Sequence, residues 1–265
     1  MASLAMPPQR TGSGSAGDPN DLDAAQLAVA AWFEEVERAL SPYRPDSDLC
    51  RWRRGELAES DSPLLAEVID ACAAITEVTD GAFHPYDRLG AYDPSGYVKG
   101  WAIDRGADLL AASGIHDACL GIGGDVQTIG RPAPDRPWRT AVVDPADEQR
   151  IVAMVAAPEA GPRFAVATSG EAQRGAHIWS AVGGPGVPGL VGEADGGRIS
   201  SITVVGPDLR LADAYATAIF AGTLTESLAA AWAWLPGTGY AVLAVDAAGG
   251  VRMTPGMAQH LVAHG

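Results

Sequence analysis

An aspartate and a threonine four positions apart stand out in the otherwise apolar run Leu211-Ala212-Asp213-Ala214-Tyr215-Ala216-Thr217-Ala218-Ile219-Phe220. At helical spacing the two share a face. A carboxylate on an apolar helix is costly unless it is capped, paired or bound to a cation. Carboxylate plus hydroxyl is hard oxygen ligation, suited to Mg²⁺. A plainer role is equally open: Asp213 capping the helix, and Thr217 bonding back to a carbonyl.

Two further stretches carry candidate chemistry. In Gly121-Ile122-Gly123-Gly124-Asp125, the glycines let backbone amides approach a ligand, and the acid can take a ribose hydroxyl or a base edge. A β-turn explains the same residues. Thr168-Ser169-Gly170 is followed by His177, a candidate general base beyond a hydroxyl-rich turn. A structural or exposed histidine is the alternative. No Gly-x-Ser-x-Gly elbow, phosphate loop or His-Glu-x-x-His is present.

Composition narrows the partners. The chain has 265 residues and a formal net charge of −15, which argues against nucleic acid and against anionic membranes. An anionic substrate would need backbone amides, a metal or a few local cations. Cys50, Cys72 and Cys119 are odd in number and far apart, so a disulfide framework or zinc knuckle is not expected, and a reducing cytoplasm fits. No apolar run reaches the roughly 18 residues of a membrane span. Residues 1–20 read as a flexible leader rich in Gly, Ser and Pro.

The elements that must position this chemistry follow from periodicity. Leu22, Ala25, Val29, Trp32, Phe33, Val36 and Leu40 recur at helical spacing, and Pro42 ends that helix. Ser41–Ser47 reads as a loop. Ser62-Pro63 opens a second helix with Leu65, Val68, Ile69, Cys72 and Ile75 inward. A third helix is predicted from Gly100 to Ser113, with Gly114 beyond it. Strands are predicted at Ala118–Ile122, Val126–Ile129, Trp138–Val143, Ile151–Ala156, Phe164–Ala167 and Ile199–Val205. Gly183–Gly197 reads as a long loop. Ala212–Ala221 and Thr225–Trp234 read as helices. Tyr240–Val245 and Val251–Met253 read as a closing hairpin. Helices first and strands grouped later favour an α+β fold.

Taken in order, several segments resemble the ApbE family of flavin transferases. They are Ser41-Pro42-Tyr43-Arg44-Pro45-Asp46-Ser47-Asp48-Leu49, Thr79-Asp80-Gly81-Ala82-Phe83, Val98-Lys99-Gly100-Trp101-Ala102-Ile103-Asp104, Gly123-Gly124-Asp125, Ala165-Val166-Ala167-Thr168-Ser169-Gly170, Gly175-Ala176-His177-Ile178 and Ala212-Asp213-Ala214-Tyr215-Ala216-Thr217. The resemblance implies one T-fold-type catalytic domain over residues 21–258, with mixed or antiparallel sheets and packed helices, followed by a tail at 259–265. It implies transfer of FMN from FAD to a Thr or Ser of an acceptor protein, or hydrolysis of FAD to FMN and AMP, with Mg²⁺. It places the metal on Asp213, Thr217 and the main-chain carbonyl of Val98. It places the FAD site at Tyr43, Ala82, Phe83, Ser95, Trp101 and Asp125, with His84 where the family motif has Asp. It makes His177 the base that deprotonates the accepting hydroxyl.

The chain departs from that pattern after His177-Ile178, where Trp179-Ser180-Ala181-Val182-Gly183 stands in place of the family's Asp-Pro-x-Thr-Gly continuation. Prolines 7 and 8 also interrupt the family's first strand. A second expectation follows: an ApbE-fold enzyme acting on a small aromatic substrate, for example in a Pictet–Spengler-type cyclisation. It would use His84 or His177 as acid/base and Trp101 and Trp179 as stacking walls. Flavin binding without turnover is a third.

Overall fold

The computed structural model describes residues 2–5, 19–133, 136–157, 163–170, 198–222 and 224–263. His177, Trp179 and the Gly183–Gly197 segment lie outside the described residues.

The chain begins with β1 (Ala2–Ala5) and continues through four helices: α1 (Pro19–Leu40), α2 (Asp48–Arg53), α3 (Pro63–Val78) and α4 (Ser95–Ala112). The strands β2 (Ala118–Ile122), β3 (Asp125–Ile129), β4 (Arg139–Asp144), β5 (Asp147–Ala156), β6 (Arg163–Gly170) and β7 (Ile199–Gly206) follow. Then come α5 (Leu209–Phe220), α6 (Leu224–Trp234), β8 (Ala241–Asp246), β9 (Val251–Met253) and β10 (Leu261–Val262). Seven strands form one sheet in the order β1-β2-β3-β6-β7-β8-β9, and β10-β5-β4 form a second. Every strand pairing is antiparallel.

The seven-stranded sheet is apolar on both faces, and period-two alternation decides which residue goes where. On β6, Ala165 and Ala167 pack toward the helices, while Phe164 and Val166 pack toward the small sheet. On β8, Val242 and Ala244 face the helices, while Ala241, Leu243 and Val245 face the other way. A third core, built on Leu40, Leu49, Leu65, Val68, Cys72, Phe83 and Trp101, joins α1–α4. The result is three layers: helices, large sheet, small sheet. Among the described residues no helix is long and apolar enough to cross a membrane.

The N-terminus differs from the flexible leader expected for residues 1–20. Residues 2–5 form an edge strand, with Ala2 opposite Ile122 and Ala5 opposite Cys119. The strand stops before Pro7, and an edge position needs no donor on its outer side. Of the tail expected at 259–265, residues 259–262 are likewise part of the fold. Leu261 and Val262 pair with Val155 and Met154, and His260 is buried beside Phe164 with ring centroids 5.2 Å apart.

Burial holds the His260 imidazole below its ordinary 6.5. A histidine whose folded pKa is depressed binds fewer protons folded than unfolded, so stability rises with pH through that window. The protein should therefore lose stability as pH falls below about 6.5, and His260→Leu should remove part of that slope. Urea midpoints at pH 7.5 and 5.5 measure it; an unchanged slope in the variant contradicts it.

The thiols are structural. Burial pushes Cys72 up to about 12 and Cys119 up to about 11, so neither ionises near neutrality. All three cysteines are free.

Candidate functional site

Two helices meet at unusually short range because α4 carries glycine where α5 carries chemistry. Gly96 and Gly100 are four apart, as are Asp213 and Thr217, and the pairs face each other in antiparallel order. A Cβ at Gly96 would lie 2.9 Å from Thr217 Oγ1 and Cγ2. At Gly100 it would lie 2.4 Å from the Leu209 carbonyl oxygen and 2.8 Å from Asp213 Cβ.

Asp213 does not cap its helix. Asp208 does, accepting from the Leu211 N–H at 3.1 Å. Asp213 is 2% exposed, and its Oδ2 accepts the Gly100 N–H at 2.9 Å. Its Oδ1 is 3.8 Å from Lys99 Nζ. The same ammonium is 2.6 Å from Asp125 Oδ2, and Asp125 Oδ1 accepts the Thr168 N–H at 2.9 Å. Two buried carboxylates thus share one largely buried ammonium. Breaking such a pair by removing one partner typically costs about 3–5 kcal/mol, because a charge is left uncompensated.

The glycines before Asp125 do turn work. Gly123 and Gly124 have φ of +58° and +94°, and Ile122 pairs with Asp125 across them. This is a two-residue hairpin loop that needs φ > 0 twice. Fully buried, Asp125 faces Lys99 and Thr168 rather than the cleft.

The cleft is built by the segment between α3 and α4. The Thr79 hydroxyl donates to the Ile75 carbonyl at 2.8 Å and accepts the Phe83 N–H at 3.1 Å, so the chain turns sharply through Asp80 and Gly81, both at positive φ. A hairpin follows, closed by the Tyr86–Tyr92 bridge. Asp87 Oδ1 accepts the Leu89 and Ala91 N–H groups at 2.8 and 2.9 Å. Asp93 Oδ1 accepts the Ser95 N–H at 3.1 Å. The Asp87 carboxylate is thus spent on local backbone, and that of Asp93 on the N–H and hydroxyl of Ser95. The Arg88 guanidinium, by contrast, pairs with no carboxylate among the described residues.

The resulting cleft of about 290 Å³ is lined by Tyr43, Ala82, Phe83, His84, the hairpin from Tyr86 to Leu89, Asp93, Ser95, Gly96, Thr217 and Ala221. That volume suits one ring system or a diphosphate, so a larger ligand would extend past the mouth. At the mouth, Leu89 is 94% exposed and Tyr43 84%.

Of the residues singled out from sequence, the structure brings Tyr43, Ala82, Phe83, His84, Ser95 and Thr217 to this cleft. Asp213 lies one helical turn from Thr217, and Val98 is half-buried near the start of α4. Trp101 is elsewhere. It is 1% exposed, its indole N–H donates to Glu67 at 3.0 Å, and its ring meets Trp32 edge-on at 5.2 Å under the Arg105 guanidinium. It is a core residue and offers no stacking face to the cleft. Trp101→Ala should cost about 3–5 kcal/mol of stability without the change in ligand affinity that a wall residue would show. Denaturant unfolding and FAD titration separate the two.

Sequence reasoning missed Lys99. The signal was compositional: the chain has 17 arginines and Lys99 is its only lysine.

The layered antiparallel sheets and the helices packed against them define an α+β protein with a cleft beside the α4–α5 contact. An ApbE family model matches residues 10–88 and 88–237, and the chain belongs to that family. The FAD:protein FMN transferase of Vibrio cholerae is 29% identical over 256 residues, covering 75% of this chain and 73% of that protein. The solved flavin transferase ApbE from Vibrio cholerae superposes with a TM-score of 0.70 at 20% identity, covering 96% of each chain. The ApbE protein of Thermotoga maritima gives 0.75 at 20% identity, covering 94% of each. At those identities the structures speak for the fold.

Proposed function

We propose that this protein transfers FMN from FAD to a Thr or Ser hydroxyl of an acceptor protein, with Mg²⁺ held by Asp213, Thr217 and the Val98 carbonyl. The observation that supports the reading is the close packing of Gly96 and Gly100 of α4 on the α5 face that carries Thr217 and Asp213, with Thr217 lining the cleft. The donor set fits the cation. It is all oxygen with one carboxylate, the ligand type of a hard cation. Such a site leaves positions for water and phosphate oxygens, as Mg²⁺ requires. When bound, Mg²⁺ supplies neutralisation of the pyrophosphate and of the charge developing on the leaving phosphate.

The chain's own residues bind and orient. The Gly100 N–H fixes the Asp213 carboxylate. Tyr43, Phe83 and His84 wall the cleft, and Leu89 and Arg88 on the braced hairpin frame the mouth the acceptor must reach. His177 takes the proton from the acceptor hydroxyl. That oxygen bonds to the FMN phosphorus, the bridging P–O bond breaks, and AMP leaves. Water in place of the hydroxyl gives FMN and AMP. Three free thiols suit a reducing compartment such as the cytoplasm.

Incubation with FAD, Mg²⁺ and candidate acceptors tests this. Covalently flavinylated protein with AMP, or FMN with AMP, is expected. No AMP, and no FAD-induced rise in melting temperature, would refute it.

A further inference from the structure

We propose that Lys99 is a built-in counter-ion that sets the coupling between the cation at Asp213 and a diphosphate in the cleft. The inference rests on the cation site proposed above. Every other basic residue among the 18 Lys and Arg is arginine; only here does the chain use the compact ammonium. The lysine side chain is 14% exposed between two carboxylates that are 0% and 3% exposed. Lysine's ammonium is a compact point charge, unlike the planar guanidinium fork of arginine.

The two distances divide the roles. At 2.6 Å, Asp125 is the main partner; at 3.8 Å, Asp213 is the secondary one. Asp125 is also fixed by the Thr168 N–H, so the ammonium keeps its place when Asp213 is taken. A divalent cation on Asp213 must displace the longer contact and then sits close to a like charge in a poorly hydrated setting, where repulsion is strong. Metal alone is therefore opposed. A diphosphate supplies negative charge that offsets both cations, so each ligand strengthens the other by the same factor. Lys99 thereby disfavours a metal-loaded, nucleotide-free enzyme. It acts as a positioning residue, through the charge balance at Asp213.

The test measures binding rather than turnover. Mn²⁺ affinity of the full chain is determined by electron paramagnetic resonance, alone and with ADP, allowing for Mn²⁺–ADP in solution. The wild type should bind Mn²⁺ about tenfold or more tighter with ADP present. Lys99→Met should bind Mn²⁺ alone about tenfold tighter than wild type, with the ADP effect shrinking toward unity. Should Lys99→Met not fold, the double variant Lys99→Met/Asp125→Asn removes both charges of the close pair, and the same result is expected. As a sole lysine, Lys99 also gives one side-chain ε-carbon signal in protein labelled with ¹³C-lysine, and that signal should move on adding Mg²⁺ together with ADP. Unchanged or weaker Mn²⁺ binding in the variants, no ADP effect in the wild type, or a silent lysine signal would overturn the proposal. Failure of the functional reading shows separately, as absence of AMP from FAD and Mg²⁺ while the Mn²⁺–ADP coupling persists.

Discussion

Asp213→Asn should lower AMP release from FAD by about 10²–10³-fold, the usual size of losing one preorganised electrostatic group, while leaving the fold in place. The amide oxygen can still accept the Gly100 N–H that Asp213 Oδ2 accepts at 2.9 Å. What disappears is the negative charge facing Lys99 and the proposed cation. Asp213→Ala is the harsher contrast. It also strands a buried N–H, costing about 1–3 kcal/mol. Chromatography of AMP and thermal melts of both variants separate charge from structure. Near-normal turnover in Asp213→Asn would remove the carboxylate from the chemistry.

Gly100→Ala should be among the most damaging single-methyl additions in the chain. The new Cβ would meet backbone oxygen at 2.4 Å, and neither helix has a flexible side chain to give way. Overpacking of this kind costs about 1–3 kcal/mol. At about 2–4 °C per kcal/mol for a chain of this size, the melting temperature should fall by several degrees. Activity should fall further, because α4 and α5 must part and carry Asp213 and Thr217 with them. Gly81→Ala is the control. It has open space but φ of +78°, so it should cost stability through backbone strain alone. Calorimetry on the two variants checks the order; equal effects would mean the helix contact is soft.

Much of the fold was legible because most elements bury one face. Ala118–Ile122 runs where its short apolar stretch put it, and Leu65, Val68, Cys72 and Ile75 point inward as their spacing required. The start of α4 was not. Gly96 and Gly100 disfavour helix on propensity, so sequence placed the N-terminus at Gly100 instead of Ser95. The reason those glycines are helical is tertiary: the close approach of α5. The six-residue α2 is too short to show a period; its start is set by the Ser47 hydroxyl accepting the Cys50 N–H. The strand at Ala2–Ala5 depends on β2, a partner more than a hundred residues away.

At the site, the resemblance to the ApbE family was enough to gather Tyr43, Ala82, Phe83, His84 and Ser95 with Thr217. It was not enough for Trp101. Lys99 and Gly100 just before it contact Asp213, but its own ring meets Trp32 of α1. Nor did it show that Asp125 and Asp213 share Lys99, since that triad joins a helix, a hairpin and a second helix.

The central claim is that Asp213 and Thr217 form a cation site that serves FAD cleavage. The most direct measurement is AMP release from FAD by wild type and Asp213→Asn across a Mg²⁺ titration, with chelated protein as the starting point. AMP release that is absent after chelation, restored by Mg²⁺ in the wild type and not restored in the variant is the predicted result. Equal, Mg²⁺-independent release by both proteins, or none by either, would contradict it.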